Sequence, residues 1–141
     1  MFLSIKDLKK SFGEDEYKTE VLKGIDFEIE KGEICVLLGP SGSGKSTLLN
    51  IIGGIDQPDS GTITIQGKTI STLKDLRNHL GSVFKMYNLI SHLNVEQNID
   101  VGKYLSKNPL NKEELLQTLG LKEHRYKQPN QLSGGQQQRV F

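Results

Sequence analysis

A single cysteine, Cys35, stands among the 141 residues, so the chain can form no internal disulfide and offers no cysteine pair for a zinc module. Because Cys35 sits inside an apolar run, it is expected to be a small buried core residue. The histidines His79, His92 and His124 are scattered without metal-ligand spacing and are expected on the surface. No apolar run approaches the about 20 residues needed to cross a bilayer. Met1 to Lys6 is too short and too soon charged to read as a signal peptide. Charge of one sign is also missing: 18 Lys and Arg face 17 Asp and Glu, a formal net charge of +1, so no nucleic-acid partner is expected. The pair Lys9-Lys10 is expected to be solvated. There is no internal repeat and no low-complexity tract. These absences describe a cytoplasmic, soluble polypeptide of one domain or less.

What is present is concentrated in two motifs. Gly39-Pro40-Ser41-Gly42-Ser43-Gly44-Lys45-Ser46 has the form G-x-x-x-x-G-K-[ST], a P-loop. Ahead of it, Ile34-Cys35-Val36-Leu37-Leu38 is a continuous apolar run suited to a strand buried on both faces. Behind it, Thr47-Leu48-Leu49-Asn50-Ile51-Ile52 has helical apolar spacing and ends at Gly53-Gly54. Strand, glycine-rich turn and helix are what phosphate binding needs. The glycines let the backbone bring N–H groups against phosphate oxygens, and the helix start adds its positive dipole end. Lys45 supplies a compact charge for the β- and γ-phosphates, the Ser46 hydroxyl is a Mg²⁺ ligand, and Thr47 is placed to donate to a phosphate. A nucleoside triphosphate, ATP with Mg²⁺, is the expected ligand of residues 39–47.

The second motif is Leu132-Ser133-Gly134-Gly135-Gln136. Ser133-x-x-Gln136 is a capping-box pattern, and on its own it fits an ordinary capped helix. Gly134 and Gly135 leave backbone N–H groups uncovered at that helix start, which suits an anion. The stretch Gln131 to Val140, taken with the P-loop, resembles the signature motif of the ATP-binding-cassette (ABC) ATPases. The resemblance runs along the whole chain. Val21-Leu22-Lys23-Gly24-Ile25 resembles the segment leading into the first core strand. Pro58-Asp59-Ser60-Gly61 and Thr62 to Gly67 resemble the turn and hairpin after the P-loop helix. Val83-Phe84 and Tyr87-Asn88-Leu89 resemble the Q-loop region. The Pro129-Asn130-Gln131 lead-in is similar to the lipoprotein-release and macrolide-export branch of bacterial cassettes.

The fold class this implies is α/β: a partial P-loop core (33–60 and 71–85), an antiparallel β subdomain (1–32 and 61–70), a small helical subdomain (86–131), and the signature with the start of its helix (132–141). The residue pattern agrees on the pieces. Phe2, Ile5 and Leu8 mark a first apolar stretch, and Gly13 to Lys18 reads as a polar loop. Ile25, Phe27 and Ile29 alternate with Asp26, Glu28 and Glu30, and Thr62 to Ile65 alternates again. Parallel core strands are expected near 34–38 and 80–84. From Leu89 the pattern turns helical. Asn94 with Gln97, and Asn111 with Gly120 after Thr118, mark helix ends, and Lys107-Asn108-Pro109 separates the two helices.

The resemblance also assigns roles. Phe12 stands where the family carries an aromatic that stacks on adenine; the alternative is a sheet-core aromatic. Lys85 stands where the family carries a Gln that reaches Mg²⁺. Lysine has donors and no acceptor, so it either pairs with the γ-phosphate or points to solvent. Leu132 to Gln136 would contact ATP held by a second subunit. No apolar run ending Asp-Glu, the family's Walker B strand, occurs in the sequence, and the switch histidine is not among the three present. The sequence therefore reads as an N-terminal portion with the later core strands absent, inactive alone, and aggregation-prone or molten where the run 34–38 lacks a neighbour. The implied function is the ATP-binding subunit of an ABC transporter. It would dimerise head to tail and sit at the inner face of the membrane through a permease, coupling ATP to export or extraction. A non-functional truncated product, and a non-transport ABC protein of DNA repair or translation, are the alternatives.

Overall fold

The computed structural model describes residues 1–141, which divide into two compact units, Met1–Ser82 and Val83–Phe141. In the first unit, strand β1 (Leu3–Phe12) lies between β2 (Thr19–Ile29) and β3 (Ser60–Ile65), and β4 (Lys68–Thr69) extends the sheet in the order β2-β1-β3-β4. All neighbours are antiparallel. Leu3 faces Ile29 and Ile65 across the ladder, and Ile5 faces Phe27 and Ile63. The period-2 alternation of the sequence thus puts one row of aliphatic side chains on one face. A bulge follows Ile5 and returns Leu8 to the core side. Asp7 takes the irregular position with φ 47°, and its N–H donates to Asp26 at 2.7 Å. Gly61 passes beside the bulge at φ 106°, where a Cβ would come within 2.6 Å of the Asp7 carbonyl oxygen and Leu8 Cα; only glycine fits there.

Helix α1 (Lys45–Ile52) lays Leu48 and Ile51 on this sheet, one turn apart on one helix face, and α2 (Leu73–Arg77) adds Leu76. The expected helix after the P-loop is therefore present, running from Lys45 to Ile52 with Gly53 as its C-cap. Thr72 caps α2 by accepting the Asp75 N–H at 3.1 Å. The expected loop 13–18 contains one 3-10 turn, Asp15–Tyr17.

The parallel strands expected near 34–38 and 80–84 do not form. Ile34, Val36 and Leu38 are 90%, 71% and 85% exposed, and Cys35, expected in the core, is exposed as well. A strand that hides both faces needs neighbours beside it and layers above and below. The molecule's one sheet is antiparallel and made of other segments, so the 34–38 backbone is left to water. Cys35, Leu37 and Leu38 line an open cleft of about 490 Å³ whose other walls include Leu22, Phe27 and Leu48.

The second unit packs α3 (Val95–Leu105), α4 (Lys112–Thr118) and α5 (Gly134–Val140) around Val95, Leu116, Leu121, Leu132 and Val140. Its helix ends match the sequence signals. Asn94 and Gln97 form a reciprocal capping box, Asn111 accepts from the N–H groups of Glu113 and Glu114, and Gly120 takes φ 64° after α4. The first turn of α3 is clamped to the segment after α4: the Val95 and Glu96 N–H groups donate to the Lys127 and Arg125 carbonyls at 2.9 and 3.0 Å. The Glu96 carboxylate accepts from Arg125 and Lys112, each at 2.8 Å. These donors hold the Glu96 carboxyl well below its ordinary value near 4.5, at about 2, with Arg125 the larger cause.

His79 and His92 are exposed as expected, but His124 is not a plain surface residue. Its 3-10 turn, Lys122–His124, is drawn inward by Leu121, which is fully buried. His124 Nε2 lies 3.1 Å from the Gln136 side-chain nitrogen, and Nδ1 is buried without a partner. The Gln136 oxygen already accepts the Ser133 N–H at 2.9 Å. The Gln136 side-chain nitrogen is thus the atom turned toward the His124 ring.

Candidate functional site

The P-loop residues wrap the N-terminus of α1. Gly44 is its N-cap in the left-handed region, φ 91°, and contributes no side-chain capping bond. A Cβ there would lie 3.0 Å from Leu22 Cδ2 and 3.1 Å from Val21 Cγ1, so the glycine sets both the turn and the approach of α1 to β2. The N–H groups opening a helix have no partners inside it, and the helix dipole places positive potential at that end. Lys45 folds back over the turn. Its ammonium donates to the carbonyls of Gly39 and Pro40, each at 2.7 Å, and to Ser43 Oγ at 3.2 Å. The ammonium is thus held over the loop by exposed acceptors that water can replace.

A cavity of about 630 Å³ opens beside this turn, lined by Phe12, Val21, Ser41, Gly42, Gly44, Lys45, Ser46 and Thr47. Phe12 reaches it from the end of β1 and is 46% exposed, so it is no sheet-core aromatic. Lys10, expected to be solvated beside Lys9, is instead largely enclosed. The Lys10 side chain is 14% exposed, its ammonium pairs with Asp56 at 3.1 Å, and it lies over the Phe12 ring at 5.3 Å from the centroid. The two-residue spacing on a strand carried the signal, since positions 10 and 12 share a face.

In the second unit Ser133 caps α5 and exchanges bonds with Gln136, so the capping box read in the sequence exists. Gly134 and Gly135 are exposed, whereas the Leu132 side chain is a core anchor. A Cβ on Gly134 would stand 2.6 Å from the Tyr87 hydroxyl, which brings the Q-loop-like stretch against the signature within this unit. No spacing rule pairs Tyr87 with Gly134, 47 positions away, so this contact has no signal in the sequence. Lys85 is exposed. No group of three or more His, Cys, Asp or Glu side chains is placed to hold a metal ion. A Mg²⁺ here would rest on the Ser46 hydroxyl and phosphate oxygens, a donor set that suits this cation.

A glycine-rich turn thus opens α1 with Phe12 beside it, and a capped glycine pair opens α5 in the second unit. The profile of the family described as ABC transporter matches residues 22–141, and the chain belongs to that family, as an ATP-binding domain. It is 42% identical to the putative ABC transporter ATP-binding protein MG065 homolog of Mycoplasma pneumoniae over 147 residues, covering 98% of this chain and 32% of that protein. It is 44% identical to the macrolide export ATP-binding/permease protein MacB of Escherichia coli over 149 residues, covering 98% of this chain and 23% of MacB. The chain thus spans about a third or less of the curated relatives it matches. Among solved structures it resembles the ATP-binding cassette MJ0796 in a dimeric post-hydrolysis state bound to ADP and Pi, with TM-score 0.80 and 33% identity over 98% of this chain and 66% of that one. No helix is long and apolar enough to cross a membrane.

Proposed function

We propose that the chain holds Mg-ATP through residues 39–47 with Phe12 against the adenine, and serves as the ATP-binding part of a transporter. The observation that carries this reading is the shared cavity: Phe12 and the phosphate turn from Ser41 to Thr47 line one space next to a helix N-terminus. Lys45 leaves its loop carbonyls for the β- and γ-phosphates, and Ser46 holds Mg²⁺, which neutralises phosphate charge when bound. Ser133, Gly134 and Gly135 meet the triphosphate of a second ATP-binding subunit facing head to tail. Closure of that pair drives a permease at the inner face of the membrane in export or extraction. The dimeric cassette solved with ADP and Pi and the joined ATP-binding/permease name of MacB support these two partners.

Calorimetric titration with Mg-ATP tests the reading. Lys45→Ala removes charge-assisted bonds of roughly 1.5–3 kcal/mol, so affinity falls about 10- to 100-fold while the fold stands, because the Gly39 and Pro40 carbonyls rehydrate. Equal affinity in parent and variant sinks the proposal. Phosphate release by the chain is expected to stay at background, because no apolar run ending in Asp-Glu occurs among these 141 residues; a turnover of ~1 s⁻¹ overturns that part.

A further inference from the structure

Lys10 touches none of the residues that the phosphate chemistry requires, yet it is among the best-anchored cations of its unit. Its ammonium donates to Asp56 Oδ1 at 3.1 Å and to the Gln57 carbonyl at 2.7 Å. A second carboxylate, Asp59, lies 3.9 Å away. The surrounding backbone is fastened too: the Ser11 N–H donates to Asp59 at 2.7 Å, and the Asp59 N–H donates to the Lys9 carbonyl at 2.9 Å. Residues 56–59 thus act as a latch along the end of β1. They hold an ammonium in one place, over the ring of Phe12.

We propose that Lys10 is a positioning and specificity residue for the base of the nucleotide. A cation held over one face of an aromatic ring fixes that ring and draws electron density toward itself. Phe12, which lines the cavity, is then a ring in a set orientation with its electron density drawn toward the ammonium, which favours stacking with an electron-rich purine. The latch couples the turn after α1 to the end of β1, so the phosphate cradle and the base platform are set by one piece of chain. This inference rests on the reading that Phe12 and residues 39–47 hold ATP.

The test separates base from phosphate. Binding of Mg-ATP and of magnesium tripolyphosphate, which has no base, is measured by calorimetry for the parent, Lys10→Met, Lys10→Arg and Phe12→Ala. Lys10→Met keeps the apolar stem, and Asp56 Oδ1 retains the Gln57 N–H at 2.7 Å. The ratio of ATP to tripolyphosphate affinity is expected to fall about three- to fivefold in Lys10→Met with tripolyphosphate affinity unchanged. Lys10→Arg is expected to restore the ratio, and Lys10→Met is expected to change nothing further in the Phe12→Ala background. A parallel loss of both ligands in Lys10→Met, an unchanged ratio, or an equal drop with and without Phe12 overturns the inference. A parent that binds neither probe overturns the ATP reading itself, a result distinct from all of these.

Discussion

Gly44→Ala puts the smallest side chain at the most constrained point of the cradle. At φ 91° an alanine sits in the left-handed region, at roughly 1–2 kcal/mol of backbone strain. Its methyl would also stand 3.0 Å from Leu22 Cδ2, 3.1 Å from Val21 Cγ1 and 3.2 Å from the Val21 carbonyl oxygen. Leu22 is core and 2% exposed, so relieving that contact shifts the Leu22 side chain or moves α1 relative to β2 by a few tenths of an ångström. Packing strain of this kind adds about 1 kcal/mol, and the stiffer unfolded chain offsets about 0.4–1. The net is a loss of about 1–2 kcal/mol, or a melting temperature lowered by roughly 5–15 °C for a unit of this size. Because the N–H groups of Lys45, Ser46 and Thr47 move with α1, ATP affinity falls together with stability. This separates Gly44→Ala from Lys45→Ala, where affinity falls alone. Circular dichroism melts and calorimetry on the same preparations decide it. A variant that melts within about 2 °C of the parent and binds ATP equally refutes the argument that glycine geometry sets the cradle.

The Glu96 cluster makes the second unit acid-sensitive. Its folded carboxyl titrates near 2, below the ordinary 4.5, so its stabilisation is fully present above pH 4.5 and is lost as pH falls toward 2. Glu113, lowered by Arg125, adds in the same direction. Helical signal followed against pH should fall through this window, and Glu96→Gln should flatten the profile; an unchanged profile in the variant would refute the assignment. The exposed run 34–38 should drive association of the 141-residue chain. Ile34→Lys with Leu38→Lys should reduce concentration-dependent light scattering, since both side chains are mostly exposed and leave the sheet core untouched. Equal scattering would locate the association elsewhere.

Local chemistry was legible in the chain wherever a residue type answers a backbone need. Asn94 with Gln97, Asn111, Gly120 and Ser133 with Gln136 announced helix ends because caps satisfy N–H and C=O groups within a few residues. The alternation of 25–29 and 62–65 announced the antiparallel strands, and the spacing from Gly39 to Ser46 announced a glycine turn that opens a helix. The tertiary structure decided what depends on partners distant in sequence. An apolar run at 34–38 is compatible with a buried strand, but burial is supplied by neighbours, and without them Cys35 and its flanking residues face solvent. Lys9 and Lys10 look alike as a pair, yet the Lys10 ammonium finds Asp56 and the Gln57 carbonyl 46 and 47 positions away, together with the ring of Phe12. His124 is drawn in beside Gln136 by the burial of Leu121, and Tyr87 meets Gly134, through contacts that no local pattern encodes. Capping and alternation act over one or two turns of chain and can be read there. Burial, ion pairing and stacking act across space, so only the folded chain selects which residues share them.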